Sequence, residues 1–206
     1  MDRQLLAFIG VALLLAVTPG PDMAVVTKNA LAHGRRGVLL TTTGILGALL
    51  LWVSATAVGV AALVAASAVL FTALKLVGGA YLVVLGVQAW LASRRPRPLS
   101  VDAAAVPAGG SVLRQGFLSC ITNPKLGVFF VTLLPQFVPA GAAVAPRLLL
   151  LGAVFGMIGW GWLNVYGLLV TRLRDVIGSP AVRRWMERVT GTVLIGLGAR
   201  LALERL

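Results

Sequence analysis

The chain has 206 residues, of which 59% are apolar and 12% charged, and its mean hydropathy is +0.96. Soluble domains average about 45–50% apolar and about 25% charged, so this composition excludes a water-facing globule, a disordered chain, a collagen-like rod and a disulfide scaffold. The net charge of +12, from 18 Lys and Arg against 6 Asp and Glu, would suggest nucleic acid in a soluble protein. Here the basic residues occupy short gaps between apolar runs, so the expected partner is the lipid bilayer and not nucleic acid.

Near the N-terminus, Arg3 precedes an apolar run over 5–17, but Thr18-Pro19-Gly20-Pro21 follows where a signal peptide would carry a small-residue cleavage box. The run is therefore expected to be a retained first span. Crossing about 30 Å of hydrocarbon takes about 20 apolar residues. Stretches that qualify are 5–32, 37–63, 68–91, 113–138, 148–171 and 185–203. The last is weakest, because Glu187 and Arg188 lie near its start and Arg200 near its end; dropping one segment leaves a five-span alternative.

Charge alternates between the gaps. Lys28, Arg35 and Arg36 lie near the first, Arg94, Arg95, Arg97 and Arg114 flank the third, and Arg172, Arg174, Arg183, Arg184 and Arg188 flank the fifth. The opposite side holds Arg3, Arg147, Arg200 and Arg205. The richer side is expected in the cytoplasm, which puts both termini outside the membrane. Residues 94–110, with Pro96, Pro98, Pro107, Gly109 and Gly110, read as a linker between two groups of three spans. The expected organisation is a repeat over 1–92, a cytoplasmic linker over 93–112 and a second repeat over 113–206. The connection 172–188 reads either as a turn and a short basic helix on the inner leaflet or as a solvated loop.

Three spans per half is an odd number, so the second half runs through the membrane inverted. The predicted fold is all-α, six transmembrane helices in two inverted three-helix repeats with broken first and fourth helices. Inverted repeats of this kind are a common plan of secondary transporters, with breaks at matching places. Span one carries Thr18-Pro19-Gly20-Pro21-Asp22 and span four carries Thr122-Asn123-Pro124-Lys125. Pro19 and Pro21 lack an N–H and cannot continue a helical ladder. Pro21 and Pro124 suit the first position of a new half-helix, and Asn123 is a good N-cap. Orphaned backbone groups are costly in hydrocarbon, so such breaks belong in protein or beside a wet cavity. Two half-helix starts meeting at mid-membrane would offer a site for a carboxylate; a plain proline kink with no ligand is the alternative.

Thr18, Pro19, Gly20, Pro21, Asp22, Asn123, Pro124, Lys125 and Asn164 are thus the candidate substrate-binding residues. Three roles fit Asp22: facing a substrate ammonium, carrying a coupling proton, or pairing with Lys125. Lys125 either pairs with Asp22 or holds a carboxylate. Lys75 is expected to snorkel to the outer interface. Asn164 either lines the cavity or bonds a neighbouring helix. Gln136 is a weak gate candidate, Cys120 a small apolar filler and His33 a solvated residue. Gly152 and Gly156 form a small-xxx-small surface that joins helices within the chain or in a homodimer. One Cys and one His permit neither a disulfide nor a zinc cluster. No metal, cofactor or enzymatic motif is expected.

These residues also carry a family likeness. The sequence resembles the LysE/RhtB amino-acid exporters over nearly its whole length: in Thr18-Pro19-Gly20-Pro21-Asp22 with the turn His33-Gly34-Arg35-Arg36-Gly37; in 75–82 with Leu85-Gly86; in Gly116-Phe117, Asn123-Pro124-Lys125, Phe129-Phe130 and Pro135-Gln136-Phe137; and in Gly191 with Leu197-Gly198. The resemblance implies export of amino acids or close derivatives from the bacterial cytoplasm, driven by the proton gradient. Related sequences often carry an acidic residue in the stretch where this chain has Asn164, which leaves the substrate class open.

Overall fold

The computed structural model describes residues 3–94, 111–139, 141–172 and 180–203. Among these there is no strand. The helices are α1 (Arg3–Val17), α2 (Pro21–Ala66), α3 (Ala68–Ala92), α4 (Val112–Ile121), α5 (Pro124–Val128), α6 (Val144–Arg172) and α7 (Pro180–Leu203). A π-helical turn, Phe129–Leu133, and a 3₁₀ turn, Leu134–Phe137, continue α5.

A straight helix of the length of α2, 46 residues, would run about 69 Å, twice the hydrocarbon thickness of about 30 Å. It does not run straight. Gly34 adopts φ 56° and ψ −145°, a conformation that penalises any side chain. The chain folds back there: Asn29 Nδ2 donates to Thr41 Oγ1 at 3.0 Å, residues that a straight helix would hold about 18 Å apart. Arms 21–33 and 35–66 thus belong to the first and second predicted spans. Only Ser67 separates α2 from α3, and its hydroxyl caps Leu70 N–H at 3.3 Å.

Pro21–Leu63, Thr72–Leu91 and Val144–Arg172 are long and apolar enough to cross a membrane. Val112–Ile121 and Pro124–Phe137, bent by 49° at their break, make a fourth candidate when taken together. Large apolar side chains such as Val58, Val69, Val77 and Met157 stand two-thirds or more exposed, as a lipid-facing surface requires and a water-facing one would not tolerate.

The packing follows the glycines. α2 lies against α4 and α6, and α3 against α7. A Cβ on Gly86 would stand 2.8 Å from the Gly191 carbonyl oxygen, and one on Gly191 would stand 2.7 Å from that of Gly86. Gly44 and Gly116 bring α2 and α4 together in the same way, against Leu113 and Thr41. Membrane helices lack a hydrophobic drive to associate, so close backbone approach of this kind supplies the packing. Gly152 is pressed on Val53 of α2 and Gly156 touches Leu46, so the small-residue surface of α6 is used within the chain.

One local expectation needs correction. Residues 180–188 are not a separate short helix or a loop; they are the first turns of α7, continuous to Leu203. Pro180 stands at the start of that helix, where its missing N–H costs no helical hydrogen bond. Gln136 donates to Thr132 O at 2.8 Å, within its own segment. The linker beyond Arg94 and residues 173–179 lie outside the described residues, as does the side chain of Lys75.

Candidate substrate site at two helix breaks

Both predicted interruptions exist. α1 ends at Val17 and α2 begins at Pro21; α4 ends at Ile121 and α5 begins at Pro124. The two breaks touch through charged side chains that cross from one to the other.

Asp22, in the first turn of α2, accepts hydrogen bonds on both carboxylate oxygens. Ser119 Oγ donates to Oδ1 at 2.7 Å, and Asn123 Nδ2 donates to Oδ2 at 2.9 Å. Lys125, in the first turn of α5, points the other way. Its Nζ donates to the Thr18 carbonyl at 3.0 Å and reaches the Leu15 carbonyl at 3.4 Å. These are carbonyls at the C-terminal end of α1, which the break leaves without helical donors and which carry the negative end of the helix dipole. Each break therefore satisfies the other. Asp22 and Lys125 direct their hydrogen bonds to these partners and not to one another.

Asn123 is 2% exposed and works at both ends. Its amide nitrogen holds Asp22, while Oδ1 accepts Lys125 N–H at 3.1 Å. At this break the Lys125 N–H is thus capped by Asn123, whereas the start of α2 carries no side-chain cap. Pro19, Pro21 and Pro124 shape the backbone of the breaks. Gly20 has extended torsions, φ −170° and ψ −175°, open to any residue; its role is space, since a Cβ there would come 3.3 Å from Lys125 Nζ.

A cavity of about 40 Å³ opens beside these groups, room for a few waters. Thr18, Gly20, Asp22 and Lys125 form its polar end, and Met23, Ile45, Leu49, Phe155, Gly159 and Leu163 line much of the rest. Behind Phe155 stand Phe129 and Phe130, with ring centroids 4.6 and 5.5 Å away. Towards the Gly34 turn, polar pairs tie the helices: Thr27 Oγ1 with Tyr166 Oη at 2.8 Å, Asn29 with Thr41, and Thr42 Oγ1 to Asn164 Oδ1 at 3.2 Å. Asn164 thus bonds the neighbouring helix and is not a lining residue of this cavity. Cys120 is buried, and its carbonyl accepts Trp52 Nε1 at 3.4 Å.

Sequence reasoning missed Ser119. The available signal was its spacing: Ser119 and Asn123 stand four residues apart, one helical turn, on the approach to the break. The apolar lining was also missed, because an apolar residue in a membrane span gives no hint of whether it faces lipid or cavity.

Interrupted apolar helices that hold opposite charges beside an open cavity are a pattern of membrane transport proteins. The chain belongs to the LysE type translocator family, which matches residues 13–205. It is similar to a leucine efflux protein of Klebsiella pneumoniae, with 32% identity over 93% of this chain and 91% of the relative. A homoserine/homoserine lactone efflux protein of Salmonella typhimurium is 27% identical over 97% of this chain and 96% of its own length. A membrane protein of Vibrio cholerae is 33% identical over 97% of both chains. No solved structure matches the chain.

Proposed function

We propose that the chain exports amino acids or close derivatives from the bacterial cytoplasm by proton antiport. The observation that carries this reading is the reciprocal contact of the two breaks, Asp22 held from α4 and Lys125 held on the end of α1. A zwitterion offers the chemistry that matches both groups. Its ammonium competes with Ser119 and Asn123 for the Asp22 carboxylate, and its carboxylate competes with the α1 carbonyls for Lys125. The efflux proteins of leucine and of homoserine among the relatives support the same substrate class.

In this reading six spans form two inverted halves, 1–92 and 113–206, that rock around the fixed site. The basic gaps lie in the cytoplasm and both termini outside the plasma membrane. The polar pairs Thr27–Tyr166 and Thr42–Asn164 then form the cytoplasmic closure, and the phenylalanines behind Phe155 the outer one. A proton on Asp22 neutralises the group that holds the ammonium, so protonation from outside releases substrate there. Return of the protonated carrier and loss of the proton to the cytoplasm reset the site.

The test is the intracellular pool. Cells overproducing the chain are loaded with leucine, homoserine and a panel of other amino acids, and the cytoplasmic content of each is followed. The reading expects at least one amino-acid pool to fall faster than in cells without the protein. Identical pools across the panel would reject it.

A further inference from the structure

Gly152, Gly156, Gly159 and Gly167 are all buried and share one face of α6. Helix packing accounts for most of them. Gly152 is pressed on Val53, Gly156 is in ordinary contact with Leu46, and a Cβ on Gly167 would stand 2.6 Å from Val38 Cγ1. Gly159 differs: a Cβ built on it meets no other side chain or neighbouring backbone within 4 Å. Glycine is less favourable than alanine in a helix interior, so a buried glycine with free space above it points to a use for that space. The space is the cavity, for Gly159 lines it together with Phe155 and Leu163, on the apolar side of Asp22 and Lys125.

We infer that Gly159 determines the size of the substrate side chain, forming the bare floor of an aliphatic compartment that takes amino acids with uncharged, aliphatic side chains. The inference rests on the export reading above. Asp22 and Lys125 engage the two charged ends common to all amino acids, and the side chain projects between Phe155 and Leu163 over the backbone at 159. Met23, Ile45 and Leu49 complete an apolar wall, so a charged side chain placed there loses its water without gaining a partner. Length is read sterically: any side chain added at 159 occupies the room of the substrate's terminal methyl groups.

Counterflow of radiolabelled leucine and alanine into proteoliposomes of the full-length chain tests this. Gly159→Ala and Gly159→Val are compared with wild type and with Gly161→Ala, a second α6 position where a Cβ meets nothing within 4 Å but which is not among the cavity's lining residues. One methyl group in an apolar pocket discriminates by roughly ten- to two-hundred-fold. The leucine-to-alanine ratio should therefore fall about tenfold in Gly159→Ala and further in Gly159→Val, and stay at the wild-type value in Gly161→Ala. Alanine favours the helix over glycine, so loss of fold does not explain a fall in Gly159→Ala, and alanine counterflow reports the intact carrier. A wild type that moves both substrates, with a ratio unaffected by either Gly159 substitution or with equal losses for both, overturns the role of Gly159 alone. A wild type that moves neither overturns this inference, while the export reading stands or falls with the pool measurement across the panel.

Discussion

Lys125 Nζ lies 3.0 Å from the carbonyl oxygen of Thr18, a residue 107 positions earlier in the chain. The ammonium replaces the N–H donors that Pro19 and Pro21 cannot supply to the end of α1, and in the proposed mechanism the same charge takes a substrate carboxylate. Lys125→Met keeps the length and removes the donors, leaving the Leu15 and Thr18 carbonyls unsatisfied. A hydrogen bond from a charged group is worth about 1.5–3 kcal/mol. The thermal midpoint of the purified variant should drop by about 3–12 °C, with transport lost. A midpoint within a degree of wild type would mean that the breaks do not depend on this contact.

Ser119→Ala removes one of two donors on the Asp22 carboxylate and leaves Asn123 in place. Releasing this competitor for the carboxylate should make the substrate ammonium easier to accept. The expected result is tighter apparent substrate binding by about tenfold, the equivalent of about 1.4 kcal/mol, measured as the half-saturating concentration in counterflow. Asn123→Ala should not do the same, because it also uncaps Lys125 N–H; its thermal midpoint should fall.

Gly20→Val tests space rather than backbone conformation, since the extended torsions of Gly20 suit valine. A Cβ alone would stand 3.3 Å from Lys125 Nζ and 3.7 Å from its Cε; two further methyl groups must displace the ammonium. Transport should fall at least tenfold while the protein is still recovered as a folded monodisperse species, judged by size-exclusion chromatography. Wild-type transport would show that the Lys125 position is free to vary.

Gly152→Ala forces a methyl group against Val53. Overpacking of this kind costs about 1–3 kcal/mol, which thermal unfolding should report as a lowered midpoint. Val53→Ala in the same chain should recover most of the loss, because it clears the side chain that the new methyl meets. Independent, additive effects of the two substitutions would contradict direct packing between α2 and α6 at this point.

The breaks were legible in the sequence because their cause is local. Proline removes a donor wherever it stands, and Asn123 ahead of Pro124 is a capping pattern regardless of tertiary context. The fold-back at Gly34 falls in the gap expected between the first two apolar runs, where the family resemblance implied a turn. Partnership was not legible. Nothing local says that Asp22 faces Ser119 or that Lys125 reaches back to α1, since those contacts depend on which faces of distant helices meet. The glycines show both sides of this. The spacing of Gly152 and Gly156 predicted a packing surface, but that Gly86 meets Gly191 while Gly159 meets open space is decided by the crossing of helices. Asn164 had two readings from sequence, and the position of Thr42 across the helix interface selects the interhelical bond.

In the proposed mechanism substrate recognition and proton coupling converge on Asp22, and proteoliposomes with an imposed pH gradient test this most directly. Liposomes containing the wild-type chain and labelled leucine should lose the amino acid faster when the opposite compartment is made acidic. The Asp22→Asn variant, nearly equal in shape and unable to exchange a proton, should lose that acceleration together with leucine counterflow. Leucine efflux with the same rate and the same response to the gradient in Asp22→Asn would contradict the account.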